Sequence, residues 1–381
     1  LTKCLNIGFD AKRLFNNTTG LGNYSRTLVR NLQKHFPQNS YSLFSPKIKP
    51  NYFNRSFINN SSLNTITAKT YFKNYWRSIG ISKALTTNNI QIYHGLSNEL
   101  PLNIKKQTTK GVLTVHDLIF EKLPHTYPLL DRLIYRSKLK TSCKNADQII
   151  AISQSTKQNI VDLYNIAPHK IEVVYQSCDE VFFNDENTLA ALQKFQQLNL
   201  PKNYLLYVGS ITPRKNLKTL LEALAILKPA NQLPLVIVGK GKQYQQQMQQ
   251  LSHKLKISHL LFWLDAVDSN QLLKQLYKNA AALIYPSIYE GFGLPVVEAL
   301  LCQTPVITGN NSSLKEAGGP TAYYVNILSK AALKTGIETV LENSELNNKM
   351  RKSGYQYAQK KFNSLITSQS VIKVYEKMLS T

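Results

Sequence analysis

The chain is short of three things. It has only four cysteines in 381 residues, Cys4, Cys143, Cys178 and Cys302, far apart and with no Cys-x-x-Cys pair or Cys/His cluster. That excludes a disulfide-built secreted scaffold and a zinc-finger framework, and it reads as a reduced, cytoplasmic protein. No apolar run reaches the roughly 18–20 residues that span a bilayer. Lys3, Asn6 and Asp10 interrupt the apolar stretch nearest the start, so no signal-peptide pattern is expected. Acidic residues are scarce, 22 against 46 basic ones, a net charge of +24. Such an excess suits polyanions, whether nucleic acid, anionic lipid or phosphorylated substrates, although simple solubility also accounts for it. Low-complexity segments and solenoid-period repeats are missing too.

What is present is strand–helix alternation. Apolar runs at 4–11, 41–45, 90–95, 111–118, 146–153 and 171–177 read as strands, with helical periodicity at 23–36, 128–144 and 155–164. A polar helical stretch at about 180–202 follows without a strand. The alternation then resumes, with strands at 203–210, 234–240, 259–264, 281–287 and 304–310 and helices between them. The reading is α/β: two doubly wound parallel sheets in two domains, 1–185 and 195–360, with a helical tail. Open sheets of this kind bind ligands beyond the carboxyl ends of their strands. A candidate residue should therefore follow a strand.

Four groups satisfy that condition. Gly20 and Gly22 lie in "NNTTGLGNYS", between the first strand and the first helix. They read either as an ordinary turn or as a backbone approach to an anion at a helix N-terminus. A dinucleotide fingerprint there is weak, because Ser45, Pro46 and Lys47 stand where the acidic partner is expected after the second strand. His116 ends "GVLTVHDL", with Asp117 beside it to orient it or to cap the next turn; a core histidine is the plain alternative. Arg214 and Lys215 precede a helix whose dipole disfavours cations, by roughly 0.3–1 kcal/mol each. A multiply charged anion would resolve that conflict. The fourth group is "EGFGLPVVE", residues 290–298. Its glycines free the loop, Pro295 suits a first helical turn, and Glu298 falls one turn into the helix. Two carboxylates so spaced can accept from the hydroxyls of two sugar rings of one ligand, with amides and a helix N-terminus holding phosphates between.

"EGFGLPVVE" resembles the E-x7-E motif of glycosyltransferase family 4, enzymes with the GT-B fold. "TTGLGNYSR", "TVHDL", "ADQIIAISQSTKQNI", "YVGSITPRKNLKTLLEAL" and "PVITGNNSSLKEAGG" resemble further signatures of that family, so the resemblance covers nearly the whole chain. It implies GT-B architecture: two Rossmann-like domains facing each other across a cleft, with a last helix, 364–381, crossing back to the first domain. It implies transfer of a sugar from a nucleotide donor with retention. The resemblance puts Arg214 and Lys215 on the donor pyrophosphate, and Glu290, Gly291, Phe292, Gly293 and Leu294 at the donor sugar and distal phosphate. Glu298 falls on the ribose, His116 on the donor sugar as a catalytic-site residue, and Gly20 and Gly22 beneath the phosphates. Asp265 departs from the family, standing where many members have glycine near the base. No Asp-x-Asp motif is present, so the expectation is a metal-independent enzyme without cofactor, in which Arg214, Lys215 and a helix dipole meet the leaving charge. Similarity to the "GFDAKR…TGLGNYSR…HDL…CDEVF" subgroup implies a mannosyltransferase of bacterial polysaccharide assembly, using GDP-mannose. UDP-sugars stay open, as does a sugar-nucleotide epimerase.

The expected partners are a nucleotide-sugar, a glycan or lipid-linked acceptor and an anionic membrane surface, with no specific nucleic acid. The membrane reading rests on "AKTYFKNYWRSIGISKAL" and "DRLIYRSKLKTSCK", where basic and aromatic or apolar residues interleave. It places the protein in the cytoplasm, peripheral on the inner face of the cytoplasmic membrane. A polyanion-binding protein would explain the charge but not two carboxylates in a glycine loop, and an NAD(P) oxidoreductase fits only the first glycine loop.

Overall fold

The computed structural model describes residues 4–265 and 267–380. It separates into two compact units. One holds the chain up to Ser177 together with the terminal helix Ser364–Leu379; the other holds Cys178–Asn363. The division falls slightly ahead of the polar stretch at 180–202. That stretch belongs to the second unit because its helix Leu189–Gln197 packs on the helix Asn270–Lys278.

The first unit is built on seven strands: β1 (Asn6–Asp10), β2 (Ser40–Ser45), β3 (Leu63–Thr67), β4 (Ile92–Gly95), β5 (Lys110–Val115), β6 (Gln148–Ala151) and β7 (Ile171–Val173). Their order is β3-β2-β1-β4-β5-β6-β7, and every pairing is parallel. Successive side chains alternate between faces. Ile7, Phe9, Val112 and Ile150 enter one core, while Leu113, Val115, Ile149 and Ala151 enter another. Both faces are covered, which is why these strands read as continuous apolar runs. The terminal helix contributes Val371, Ile372, Val374, Tyr375 and Met378 to the first of these cores, against the helix Gly20–His35.

The second unit has β8 (Leu205–Val208), β9 (Leu235–Val238), β10 (Leu261–Leu264), β11 (Ala282–Tyr285), β12 (Val306–Thr308) and β13 (Tyr323–Tyr324). Their order is β10-β9-β8-β11-β12-β13, again all parallel. In each sheet the winding direction reverses beside the first strand, between β1 and β4 and between β8 and β11. Those reversals open the crevices in which such sheets bind ligands.

Two strands escape a reading by pattern. β3 is an edge strand whose five residues include only Leu63 and Ile66 as apolar members, and β13 has two residues. The first long helix also begins earlier than periodicity suggests. It spans Gly20–His35, so Gly20 and Gly22 lie in its first turn and not in a loop before it. Only Gly22 is sterically required: a Cβ there would lie 1.9 Å from the Asn17 carbonyl oxygen, whereas a Cβ on Gly20 meets nothing within 4 Å. The Asn17 side-chain oxygen accepts from the Gly22 amide at 3.1 Å, which ties the helix start to the preceding loop.

Candidate active site

In the second unit the chain leaves β8, makes a short turn at Pro213–Lys215, and passes through Asn216 in left-handed backbone (φ 54°) into the helix Leu217–Leu224. This turn faces the segment that leaves β11, its neighbour in the sheet. The Ile288 amide donates to the Arg214 carbonyl at 2.9 Å, and Arg214 Nη1 donates to the Tyr289 carbonyl at 2.5 Å. The two segments are thereby locked together, and their charged groups converge.

Glu290 is the focus. Its Oε1 lies 2.8 Å from Arg214 Nη1 and 2.6 Å from Lys215 Nζ, and it accepts from Ser287 Oγ at 2.5 Å. Lys215 also donates to the Tyr285 hydroxyl at 2.5 Å. Burial alone would raise the Glu290 pKa, but Lys215 and Arg214 outweigh it and hold the carboxyl below its ordinary range. Burial lowers the Lys215 pKa, against the pull of Glu290. Two cations converge on one carboxylate here, at the carboxyl end of β8 and β11. Its backbone is held as well: Ser312 Oγ accepts from the Glu290 amide at 3.1 Å, and Ser313 Oγ donates to the carbonyls of Glu290 and Phe292 at 2.9 and 3.0 Å.

Gly293 follows with φ 110° and caps the helix Leu294–Leu301, where Pro295 occupies the first turn. A side chain at 293 would be strained and would press on Leu314 at 2.9 Å. Phe292 is buried with its ring edge-on to Phe362, 5.4 Å between centroids. It anchors the loop, leaving Gly291 beside the cluster and Leu294 as the first helical residue.

Glu298 stands apart from the Glu290 cluster. It is half-buried, and its Oε2 accepts from the Tyr277 hydroxyl at 2.9 Å. Burial pushes its pKa up to about 7, with Asp179 adding to the rise against the Tyr277 hydrogen bond. Asp265, the family departure, accepts from Gln245 Nε2 at 3.0 Å.

His116, Gly20 and Gly22 belong to the first unit. His116 directly follows β5 and is buried. Its Nε2 donates to the Leu96 carbonyl at 2.8 Å, Nδ1 faces Gln176 Nε2 at 3.4 Å, and the Tyr24 ring stands perpendicular to it at 4.6 Å. Burial lowers its pKa to about 4, so the imidazole is neutral. Asp117 does not hold the ring in this structure; its carboxylate caps the next turn, accepting from the Ile119 amide at 3.1 Å. Tyr285, Ser287, Ser312 and Ser313 escape the sequence reading. Their only signal is position: Tyr285 ends β11, Ser287 follows it closely, and Ser312 and Ser313 lie in the segment after β12.

Residues 18–181 match the family model Glycosyltransferase Family 4, and residues 190–357 match Glycosyl transferases group 1. The chain belongs to glycosyltransferase family 4. The enzyme is 27% identical over 341 residues to the O-antigen chain mannosyltransferase RfbU of Salmonella typhimurium, covering 86% of this chain and 89% of that one. It is 32% identical over 233 residues to the O-antigen chain mannosyltransferase B of Escherichia coli, spanning 60% of this chain and 59% of that protein's length. Among solved structures, that of Anabaena Alr3699/HepE in complex with UDP and glucose superposes with a TM-score of 0.76 at 15% identity, covering 98% and 100% of the two chains. The glycosyltransferase thus carries the two sheets of the GT-B architecture. No helix among its described residues is long and apolar enough to cross a membrane.

Proposed function

We propose that this glycosyltransferase moves mannose from GDP-mannose, with retention, to a saccharide or lipid-linked acceptor in bacterial cell-surface polysaccharide assembly. The observation that carries the reading is the Arg214–Lys215–Glu290 cluster at a sheet crevice, where two cations converge on one carboxylate. The mannosyltransferase names of the two relatives support the sugar. As the glycosidic bond breaks, the departing diphosphate gains charge; Arg214 and Lys215 meet it without a metal. The anomeric carbon becomes cationic, and the leaving phosphate oxygen takes the proton of the incoming hydroxyl on the same face. Glu290 positions and does not attack. His116, held neutral, serves the donor sugar by accepting a hydroxyl hydrogen at Nδ1 in place of Gln176, and not by proton transfer. Glu298 receives the ribose hydroxyls.

A thermal-shift series with GDP, UDP, ADP and their sugar conjugates tests this reading, because a ligand of the folded state raises the melting temperature. GDP and GDP-mannose are expected to give the largest shifts. A UDP preference would reassign the donor, and no shift at millimolar concentrations would remove the donor site. The shift should also grow with pH. Glu298 has its pKa raised to about 7, so the carboxylate that accepts from ribose forms only as pH rises through that value. Nucleotide affinity therefore increases from pH 6 to 8 in the wild type. In E298Q the increase is confined to what nucleotide ionisation contributes. Identical pH profiles for the two proteins would take Glu298 off the ribose. Detection of transferred sugar, and not of isomerised donor, separates this activity from epimerisation.

A membrane-associated acceptor is supported by the first unit's surface. Tyr71, Phe72, Leu129 and Leu130 are exposed apolar residues among Lys69, Lys73, Arg132 and Lys140. Arg77 and Lys138 both pair with Glu99, which makes the two segments neighbours. The protein is expected to sediment with anionic vesicles and to leave them as salt rises, since such attraction decays within a Debye length of about 10 Å at 0.1 M. Equal binding to neutral vesicles would overturn this.

A further inference from the structure

We propose that the first unit holds a binding site for a phosphate or diphosphate group on the acceptor, formed by Lys12, Arg13, Arg77 and Lys138 beside the turn that carries Ser97 and Glu99. This rests on the glycosyltransferase reading above and names the chemistry of its second substrate. The site lies at the carboxyl ends of β1 and β4, the reversal point of the first sheet.

Its frame is an ion-pair chain. Arg77 Nη2 is 2.5 Å from the buried Asp10 Oδ2, Arg77 Nη1 pairs with Glu99, and Lys138 Nζ is 3.8 Å from Glu99 Oε1. These contacts explain Arg77 as a structural residue. They do not explain Lys12 and Arg13, which extend the chain directly from β1 and have no carboxylate within ion-pairing distance among the described residues. Four cations thus face two carboxylates, Asp10 and Glu99. Lys12 is half-buried; burial lowers its pKa, and Arg77, Arg13 and Lys138 lower it further against the pull of Asp10. Gathering like charges around a partly desolvated ammonium destabilises a fold unless an anion joins them.

A second observation is independent of charge. Ser97 Oγ, in the turn after β4, is buried and has no hydrogen-bond partner among the described residues. Buried hydroxyls are rarely left so. The turn that carries it is closely wound, since a Cβ on Gly95 would lie 2.2 Å from the Glu99 carbonyl oxygen. The same turn supplies the Leu96 carbonyl to His116 Nε2 and the Asn98 side chain to the His116 amide, and the charge of Arg13 acts on His116. The cluster therefore adjoins the residue assigned to the donor sugar. Through Lys138 it also adjoins the exposed apolar helix Leu129–Asn145. An excess of two positive charges fits a group bearing two negative charges. Its place between His116 and an apolar surface fits a lipid diphosphate.

The test is calorimetric titration of the full chain, with its preferred nucleotide saturating the donor site. The probes are farnesyl diphosphate and glucose 1-phosphate, with farnesol and glucose as uncharged controls. The phosphorylated probes should bind and the controls should not. K12Q and K138Q, both at partly exposed positions outside the Asp10–Arg77 pair, should each weaken that binding about tenfold or more, as loss of one charge-assisted bond does. Their nucleotide affinity should stay at the wild-type value. Tighter binding of farnesyl diphosphate assigns a lipid-linked acceptor, and tighter glucose 1-phosphate a phosphorylated sugar. Equal binding of phosphorylated and uncharged probes, or wild-type binding by both variants, overturns the site. If no nucleotide binds, the donor reading fails by itself. The probes titrated alone against K12Q and R214A still decide the phosphate site, because only K12Q should then lose the binding assigned to the first unit.

Discussion

Glu290→Gln should abolish nearly all sugar transfer while leaving nucleoside diphosphate binding as strong as before, or stronger. The amide is isosteric and can still accept from Ser287 Oγ, so the loop keeps its shape. What disappears is the negative charge that Arg214 and Lys215 share at 2.8 and 2.6 Å. In the resting enzyme that charge competes with the donor diphosphate for both cations, and its loss favours the nucleotide. The transition state loses a charged group beside a sugar that is becoming cationic. Electrostatic groups of this kind are worth about 10²–10³ in kcat. Turnover and the GDP dissociation constant, measured on the same preparation, should move in opposite directions or the second not at all. Unchanged turnover would remove Glu290 from the chemistry, and a parallel loss of both would make it a structural residue.

Lys215→Met should damage both stability and binding. Lys215 is 8% exposed, and its ammonium touches Glu290 and the Tyr285 hydroxyl. Methionine preserves the volume and leaves Glu290 buried with Arg214 as its remaining cation. Removing one partner of a buried pair costs about 3–5 kcal/mol. Nucleotide affinity should fall about 10–100-fold with the lost charge-assisted bond. The pH dependence identifies the cause. In the wild type the Glu290 pKa is depressed, so the pair's stabilisation is present above the carboxyl's unfolded pKa and lost as pH falls through its folded value. The melting-temperature gap between wild type and variant should therefore narrow on acidification from pH 7 into the carboxylate range. A gap independent of pH would mean that lost packing, not an orphaned carboxylate, weakens the variant.

Much of the fold is legible in the chain. β8, β9 and β11 are covered on both faces, so they must be apolar throughout, and they stand out between amphipathic helices. β3 and β13 do not, because an edge strand and a two-residue strand bury too little to leave a pattern. Helix starts are less visible still. Gly20 and Gly22 resemble loop residues, but the Asn17 side chain and a close backbone approach allow helix to form through them. At the candidate site, residue types and strand-end positions were enough to single out Arg214, Lys215 and Glu290. Glu298 has the same sequence standing, yet its carboxylate pairs with the Tyr277 hydroxyl and with neither Arg214 nor Lys215 among the described contacts. Nothing in a seven-residue spacing distinguishes those two fates.

Sequence by itself therefore determined the alternation of buried strands with helices, the two α/β sheets, the family, and the positions at which charged residues leave the strands. These follow from local periodicity and from motifs carried on contiguous residues. Tertiary structure decided which charges meet. It set Glu290 between two cations, withdrew Asp117 from His116 to cap a turn, and left Lys12 and Arg13 unmatched near Arg77. The reason is geometric: parallel strands are joined by long crossovers, so the ends that share a crevice lie tens of residues apart in the chain. Pairing among them depends on distances of a few ångströms that no local pattern encodes.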